Sequence, residues 1–400
     1  VPHSPKGLEG LTLADEVKLT MVGGNVPAKR LHDLIRAPEN TTWVQDKKQS
    51  WDGNEPATVY YTPETLADGT PTTAVTVILR TKGCHWWWKS GCTFCGYFND
   101  TRDDIESAEL HSQWEYAKKK FNDFADHGMV KVYTSGSLLE DREISVDFQE
   151  TVLRDCHELG KELIIESRTE QLNPEKLAWA KKINPSFTVA IGLEALDDEV
   201  LRFHINKGFS LKSWYRAVEN LRAENLRIKA YLMFKPPFMS EGDALEHCIR
   251  WVKGVAEDAD EISINPMNIQ RGTVIDRLFR GNDYRPPWLW SLVELIEQTH
   301  STIHPEGGSN GGEDQVSRLI IHPTAAGRVR GSHNCGSCDR DVTKAIENYS
   351  VSGDIRELDG LDCPCKAIWA EEISLDNSLP MPLGIGLPRR GNKIANLRSP

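Results

Sequence analysis

The strongest constraint in this chain is a rhythm. From residue 74 to residue 264, short apolar runs alternate with longer stretches of helical periodicity. The runs are Ala74 to Leu79, Val130 to Tyr133, Leu163 to Ile165, Phe187 to Ile191, Ile228 to Met233 and Glu261 to Ile264. Between them, Ser107 to His127, Asp147 to Leu159, Pro174 to Lys182, Ser210 to Glu224 and Gly242 to Val255 read as helices. Local punctuation agrees. Gly128 and Gly160 follow two of these stretches, and Asn173 precedes Pro174 where a helix would start. Six strands alternating with helices predict an α/β fold: a parallel sheet wrapped by helices, with strands buried on both faces. Right-handed crossovers curl such a sheet into an open or closed barrel. Catalytic residues of such barrels sit just beyond the C-terminal ends of the strands.

The flanks have a different texture. Residues 1–72 read as an irregular N-terminal extension, turn-rich at Gly23-Gly24 and Asp52-Gly53-Asn54, with one short helical pattern near Ala28 to Arg36. Residues 73–305 hold the repeating core. Residues 306–400 open on the linker-like Gly307-Gly308-Ser309-Asn310-Gly311-Gly312 and contain a cysteine-rich segment. No apolar run reaches the roughly 18 residues of a membrane span, and the first thirty residues lack the apolar region of a secretory signal. The expectation is a cytoplasmic protein without a membrane partner. A net charge of −12 disfavours indiscriminate nucleic-acid binding but leaves room for a local basic patch.

Nine cysteines are present, and seven are grouped. Cys84, Cys92 and Cys95 directly follow the first core strand, where a barrel places its chemistry. Three thiolates can hold a [4Fe–4S] cluster and leave one iron without a protein ligand. That iron can chelate the amino and carboxylate groups of S-adenosylmethionine (SAM), whose reductive cleavage yields a 5′-deoxyadenosyl radical. The alternative is a zinc site completed by a histidine such as His85. The second group is Cys335 and Cys338, joined after 24 intervening residues by Cys363 and Cys365. Four thiolates fill a closed tetrahedral Zn²⁺ site, and a second iron–sulfur cluster is the alternative. His322 and His333 are reserve ligands or ordinary loop histidines. Cys156 and Cys248 read as small buried apolar groups on helices. Clustered thiols without a secretory signal point to a reducing compartment.

At the first cysteine group the chain resembles the radical SAM superfamily. Most members use Cys-x3-Cys-x2-Cys, whereas this chain has Cys-x7-Cys-x2-Cys, which argues against the commonest subfamilies. The string Gly83-Cys84 to Trp86, then Gly91-Cys92-Thr93-Phe94-Cys95-Gly96-Tyr97 and Asn99-Asp100, is similar to the radical SAM subunit of archaeosine synthases. That family lies near the elongator-type enzymes. Tyr133-Thr134-Ser135-Gly136-Ser137, Ile165-Glu166-Ser167-Arg168, Ile191 to Asp197 with Asn206-Lys207-Gly208, Phe234 to Pro237 and Asn265 to Thr273 extend the resemblance over residues 74 to 280.

The resemblance implies a partial (β/α)6 radical SAM barrel with an N-terminal extension and a small C-terminal metal-binding domain. It implies Ser135, Gly136 and Ser137 near the methionine amino group, and Glu166, Arg168 and Glu194 on the amino-acid or ribose parts of SAM. Phe94 and Tyr97 would pack on the adenine. An ion-pair network closing the barrel mouth is the other reading of Glu166, Arg168 and Glu194. Lys235, Asn265, Asn268 and Arg271 follow the fifth and sixth strands and are expected on the substrate side. Trp86, Trp87 and Trp88 either shield the cluster, stack on a base or pack beneath the loop. The implied reaction is radical C–N bond cleavage on tRNA whose position 15 carries lysine-conjugated 7-cyano-7-deazaguanine. Its implied partners are a lysine-transferring subunit and a one-electron donor. Another radical SAM tRNA-modifying enzyme, for example a methylthiolating one, and a non-catalytic zinc protein that binds tRNA are the alternatives. The tail Pro388-Arg389-Arg390-Gly391-Asn392-Lys393, with Arg398, is either a phosphate contact or a disordered basic end.

Overall fold

A computed structural model describes residues 51–304 and 317–378. The Ala28–Arg36 pattern, the Gly307–Gly312 stretch and the basic tail lie outside these residues. Eight strands form one sheet in sequence order. Strand β1 (Thr58–Thr65) runs antiparallel to β2 (Pro71–Ile78). Strands β3 (Met129–Tyr133), β4 (Glu162–Ser167), β5 (Thr188–Glu194), β6 (Arg227–Phe234), β7 (Glu261–Pro266) and β8 (Arg318–Ile321) then continue parallel to β2. The six expected strands are β2 to β7, and the sheet is the curled barrel the alternation predicts.

The helices are α1 (His85–Lys89), α2 (Ser107–Lys120), α3 (Val146–Glu158), α4 (Pro174–Ile183), α5 (Leu211–Ala223), α6 (Glu241–Val255), α7 (Val274–Arg280), α8 (Leu289–Ile303), α9 (Asp339–Ser352) and α10 (Cys365–Ser378). Asn173 caps α4 as expected, its side chain accepting from Lys176 N at 2.9 Å. Helix α2 stops earlier than Gly128. Asn122, Asp123 and Phe124 take left-handed φ values of 48°, 51° and 60°, which ends the helix and turns Phe124 under Trp114, ring centroids 5.3 Å apart. No described helix is long and apolar enough to cross a membrane.

The two edge strands differ from the sequence reading. Residues 58–65 fall in the N-terminal stretch read as irregular, and they contain Pro63. An edge strand tolerates proline, since one side of its backbone has no partner, and Thr58, Val59, Tyr60 and Tyr61 have the β-branched and aromatic character of a strand. β8 is only four residues long and follows the glycine-rich stretch.

The central strands are largely buried on both faces, as expected, but the two faces differ in polarity. One face is apolar: Val75, Val77, Val130, Val132, Leu163, Ile165, Val189, Ile191, Ile228, Leu232, Ile262 and Ile264 share a core with Trp114, Phe148, Trp214 and Trp251 of the surrounding helices. Alternate residues point the other way, and these mix polar groups, Thr76, Lys131, Tyr133, Glu166, Lys229, Tyr231 and Glu261, with a small apolar cluster of Ala74, Met129, Ile164 and Ala190. At the N-terminal end of this concave face, Lys131 pairs with Glu64 and Lys229 with Glu261. Arg318 of β8 lies 3.9 Å from Glu64 and 4.0 Å from Glu261, and donates to Thr65 O. The two sheet edges are thus tied by side chains. One level higher, the Tyr231 hydroxyl donates to that of Tyr133 at 3.0 Å.

Helices α9 and α10 join the same core, through Val342, Ile346, Tyr349, Leu358 and Trp369. Glu241 at the start of α6 organises this junction. It accepts from Lys235 Nζ, from Trp288 N and from the Ser291 hydroxyl, and Ser291 in turn accepts from Trp369 Nε1.

The buried Glu64 yields a stability prediction. Glu64→Ala leaves Lys131 buried without its partner, which should cost about 3–5 kcal/mol in urea denaturation. Replacing both residues with Met should recover most of that loss.

Candidate active site

The loop from Thr81 to Cys95 leaves the C-terminal end of β2. Its seven residues between Cys84 and Cys92 are the one-turn helix α1 and a tight turn at Ser90-Gly91. Gly91 takes φ +86°, and a Cβ there would stand 2.6 Å from the Trp87 ring. Trp87 is buried and stacks on Phe98, centroids 3.8 Å apart. Trp86 lies against Gly208, where a Cβ would approach to 2.5 Å, and donates from Nε1 to Asn206 O at 2.8 Å. Trp88 is 48% exposed and donates to Lys82 O. Two of the three tryptophans therefore pack beneath the loop, and the third faces outward.

Three neighbours clamp this loop. From the β3 side, the buried Glu143 carboxylate accepts from the Thr81 hydroxyl at 2.6 Å and from Ser137 N at 2.8 Å. A Cβ on Gly136 would meet Glu143 at 2.3 Å and the Cys84 backbone at 2.9 Å, so only glycine fits there. From the β5 crossover, Asn206 donates to Ser90 Oγ and Gly91 O, while Thr93 N donates to Ile205 O. From the β7 side, Asn99 Nδ2 donates to Arg271 O at 3.0 Å, and Gly96 sits where a Cβ would be 2.6 Å from Gln270.

Burial raises all three thiols, Cys92 up to about 11, while the Arg168 and Lys207 cations pull Cys92 the other way. The sulfurs do not converge within 4.8 Å as a single-ion site requires; among the described residues the tail cysteines do.

The expected SAM-side residues line the same end of the sheet. Ser135, Gly136 and Ser137 form the turn after β3, and Ser137 Oγ accepts from Arg168 N at 2.9 Å. Arg168 is buried, donates to Glu170 and Lys207 O, and faces the Trp86 and Phe209 rings. Glu194, at φ +68°, accepts from Lys207 Nζ at 2.9 Å. Glu166 lies on the concave face. Phe94 is half-buried, and Tyr97 is 56% exposed at the mouth. Asn268 and Arg271 follow β7, while Asn265 lies within its last two residues. Lys235 does not join them. It is buried, and its ammonium donates to Glu241 at 2.7 Å, toward α6 and α8 rather than the mouth.

Sequence reasoning missed Glu143, Glu140 and Lys207. Glu140 accepts from Gln171 and pairs with His85 Nδ1 at 2.7 Å, which occupies the histidine considered as a zinc ligand. Nothing local marks Glu140 or Glu143, whose partners come from distant segments. Lys207 stands inside the Asn206-Lys207-Gly208 motif, and its pairing with Glu194 was the available signal.

The second cysteine group is a compact knot. Sγ separations are 3.7 Å for Cys335–Cys363 and 3.6 Å for Cys338–Cys365. A tetrahedron with arms of about 2.3 Å has edges of roughly 3.8 Å. Gly336, at φ +91°, makes the turn, and Asp339 accepts from Asn334 N and Gly336 N. Trp290 Nε1 donates to Cys365 Sγ at 3.2 Å and Asn334 Nδ2 to Cys338 Sγ at 3.3 Å. Backbone N–H groups of Ser337 and Cys338 lower the Cys335 thiol to about 6. His322 and His333 are not part of the set, and Cys156 and Cys248 are core residues.

Comparison with known proteins gives a consistent picture. Residues 78–248 match the model of the radical SAM superfamily. The archaeosine synthase subunit beta of Methanosarcina acetivorans is 35% identical over 81% of this chain and 91% of that protein. The protein of the same name from Thermococcus kodakarensis is 31% identical over 80% of this chain and 97% of its own length. Among solved structures, the Elp3 of Methanocaldococcus infernus with an N-terminal deletion matches with a TM-score of 0.45, at 16% identity over 64% of this chain and 60% of that one.

Glu166 gives the site a pH dependence. Burial, with the charges of Glu194 and Glu143, pushes its carboxyl from 4.5 up to about 8. The unfolded chain loses this proton at the ordinary value while the folded chain keeps it, so Glu166 lowers stability as pH rises from about 4.5 to about 8. Glu166→Gln should match wild type in urea midpoint near pH 4 and exceed it near pH 8.

Proposed function

The chain belongs to the archaeosine synthase subunit beta family of radical SAM proteins, and on that premise we propose that it is a radical SAM enzyme that modifies tRNA. The observation that carries this reading is the three-cysteine loop at the head of β2, locked from three sides beside a polar concave face. Within that class we assign it the conversion of lysine-conjugated 7-cyano-7-deazaguanine at tRNA position 15 to archaeosine. A lysine-transferring subunit supplies the conjugate, and a one-electron donor is required. The word "subunit" in the relatives' names supports such a partner.

In this reading Cys84, Cys92 and Cys95 would hold a [4Fe–4S] cluster and leave it a site open to SAM. Bound together, cluster and SAM supply a 5′-deoxyadenosyl radical, able to remove a hydrogen that no side-chain base can take. The raised thiols must lose their protons to become ligands, and the Arg168 and Lys207 cations favour that loss at Cys92. Ser135, Gly136 and Ser137 seat the methionine amino group, in a turn whose position Glu143 fixes. Glu166, Arg168 and Glu194 orient the amino-acid and ribose parts of SAM. Phe94 and Tyr97 cover the adenine and keep water from the reacting carbon. Asn265, Asn268 and Arg271 line the substrate side. Lys235 holds the end of β6 to α6, a supporting role. For the tail knot we assign one structural Zn²⁺ held by Cys335, Cys338, Cys363 and Cys365. The near-tetrahedral sulfur spacing supports a single ion over a second cluster, whose several irons would spread their ligands.

Anaerobic, reduced protein should form 5′-deoxyadenosine far faster with lysine-conjugated deazaguanine tRNA than with unmodified tRNA. Cys92→Ala should abolish it. Formation indifferent to the conjugate would keep the radical chemistry and discard the substrate. Elemental analysis should find one zinc per chain, lost in Cys365→Ser together with a lower thermal midpoint; iron in place of zinc would overturn the tail assignment.

A further inference from the structure

Asp276 is fully buried near the start of α7, and two arginines from different segments converge on it. Arg280, one turn later, pairs with one carboxylate oxygen. Arg330, from the loop before the cysteine knot, donates to the other at 2.8 Å. The same carboxylate accepts from Gly272 N, which fixes the turn after Arg271. Arg330 also binds the β7 loop through its backbone: Ile269 N donates to Arg330 O at 2.8 Å, and Arg330 Nη1 donates to Ile269 O. Farther along, His333 N donates to Pro287 O and Arg285 donates to His333 O. Residues 267–290 and 322–333 are therefore tied together, and their exposed side chains lie on adjoining segments.

Their surface is charged against the trend of the chain. The two stretches hold six arginines and two aspartates, while the whole chain carries −12. One of the two aspartates is Asp276, already neutralised by Arg280 and Arg330. The nearest acidic side chain to Gly327, Asp339, is buried and accepts from Asn334 N and Gly336 N. Arg271, Arg280 and Arg328 are exposed. Between Arg328 and Arg330, Val329 is 72% exposed, more than any other large apolar side chain among the described residues. The surface also borders the cluster loop, through Gly96 against Gln270 and Asn99 on Arg271 O.

We propose that this arginine face is where the chain holds the sugar–phosphate backbone of its tRNA. The inference rests on the tRNA-modifying reading and adds to it the location of the docking surface. Guanidinium groups fanned around a buried carboxylate are pre-positioned to bridge phosphates. Val329 offers an apolar contact to an exposed ribose or base. Phosphates held here run past the β7 loop, so an unstacked nucleotide reaches the barrel mouth while the repulsive remainder of the surface stays away from the RNA.

The test measures binding of unmodified tRNA transcript to the full chain across a range of salt. Arg280→Glu with Arg328→Glu should weaken binding by about tenfold or more and reduce the slope of log affinity against log salt by about two. Lys119→Glu with Lys182→Glu, an equal charge change on α2 and α4, should leave both nearly unchanged. SAM binding by calorimetry should be the same in all three proteins, which reports folding and an intact cofactor site. Equal losses in the two double variants would overturn the proposal in favour of net charge alone. Unchanged tRNA affinity in the arginine variant, with loss of the partner subunit in co-purification, would overturn it in favour of a protein interface. Failure of wild type to bind any tRNA would overturn the functional reading itself.

Discussion

Charge in a poorly hydrated interior has to be paired, and this sheet is built around that requirement. Its helix-facing side is apolar and its concave side is not. Lys131 and Lys229 project from strand centres into the barrel, where each would be costly alone. Glu64 comes from β1 and Glu261 from β7, so the pairing enlists strands near both edges. Arg318 then bridges the two acids from β8. The sheet curls far enough to bring these groups together. The antiparallel β1 thereby acts as a counter-charge carrier for the barrel floor as well as an edge strand.

The catalytic end uses the same logic at closer range. Glu143 joins the cysteine loop to the turn after β3, and Glu194–Lys207 joins β5 to its crossover. The Thr81–Glu143 contact spans 62 residues of sequence, whereas Ser137–Glu143 and Glu194–Lys207 are local. The loop itself has little regular structure, so its shape comes from these external contacts and from glycines that admit rings or backbone at close range.

Much of this was legible in the sequence, for reasons that can be stated residue by residue. The rhythm of apolar runs located β2 to β7 because each strand has one helix-packed face. The cysteine spacings marked both thiol groups because metal ligands must come in short-range sets. β1 escaped within the N-terminal stretch, where it contains Pro63, and β8 because four residues carry too little pattern. The polar groups of the concave face were readable in Lys131 and Lys229, whose alternation with apolar neighbours contradicts a purely apolar interior on both sides. Glu143 and Glu241 were not readable. Their roles arise from partners across the fold, and the chain around them carries no local trace of those contacts. Lys235 shows the converse: its position after β6 suggested the mouth, but Glu241 turns it toward the helices.

The cysteine knot has a further consequence through chain entropy. Cys338 and Cys365 are 27 residues apart and flank α9. An ion held by all four sulfurs closes that stretch into a loop. The open chain would then lose freedom worth roughly 3–4 kcal/mol, by analogy with a disulfide closing a loop of similar length. The benefit falls mainly on α9 and α10, whose apolar residues cover α8 and α6. With an ion bound, the knot would act as a clasp on the outer layer of the barrel, and occupancy would set how readily that layer lifts.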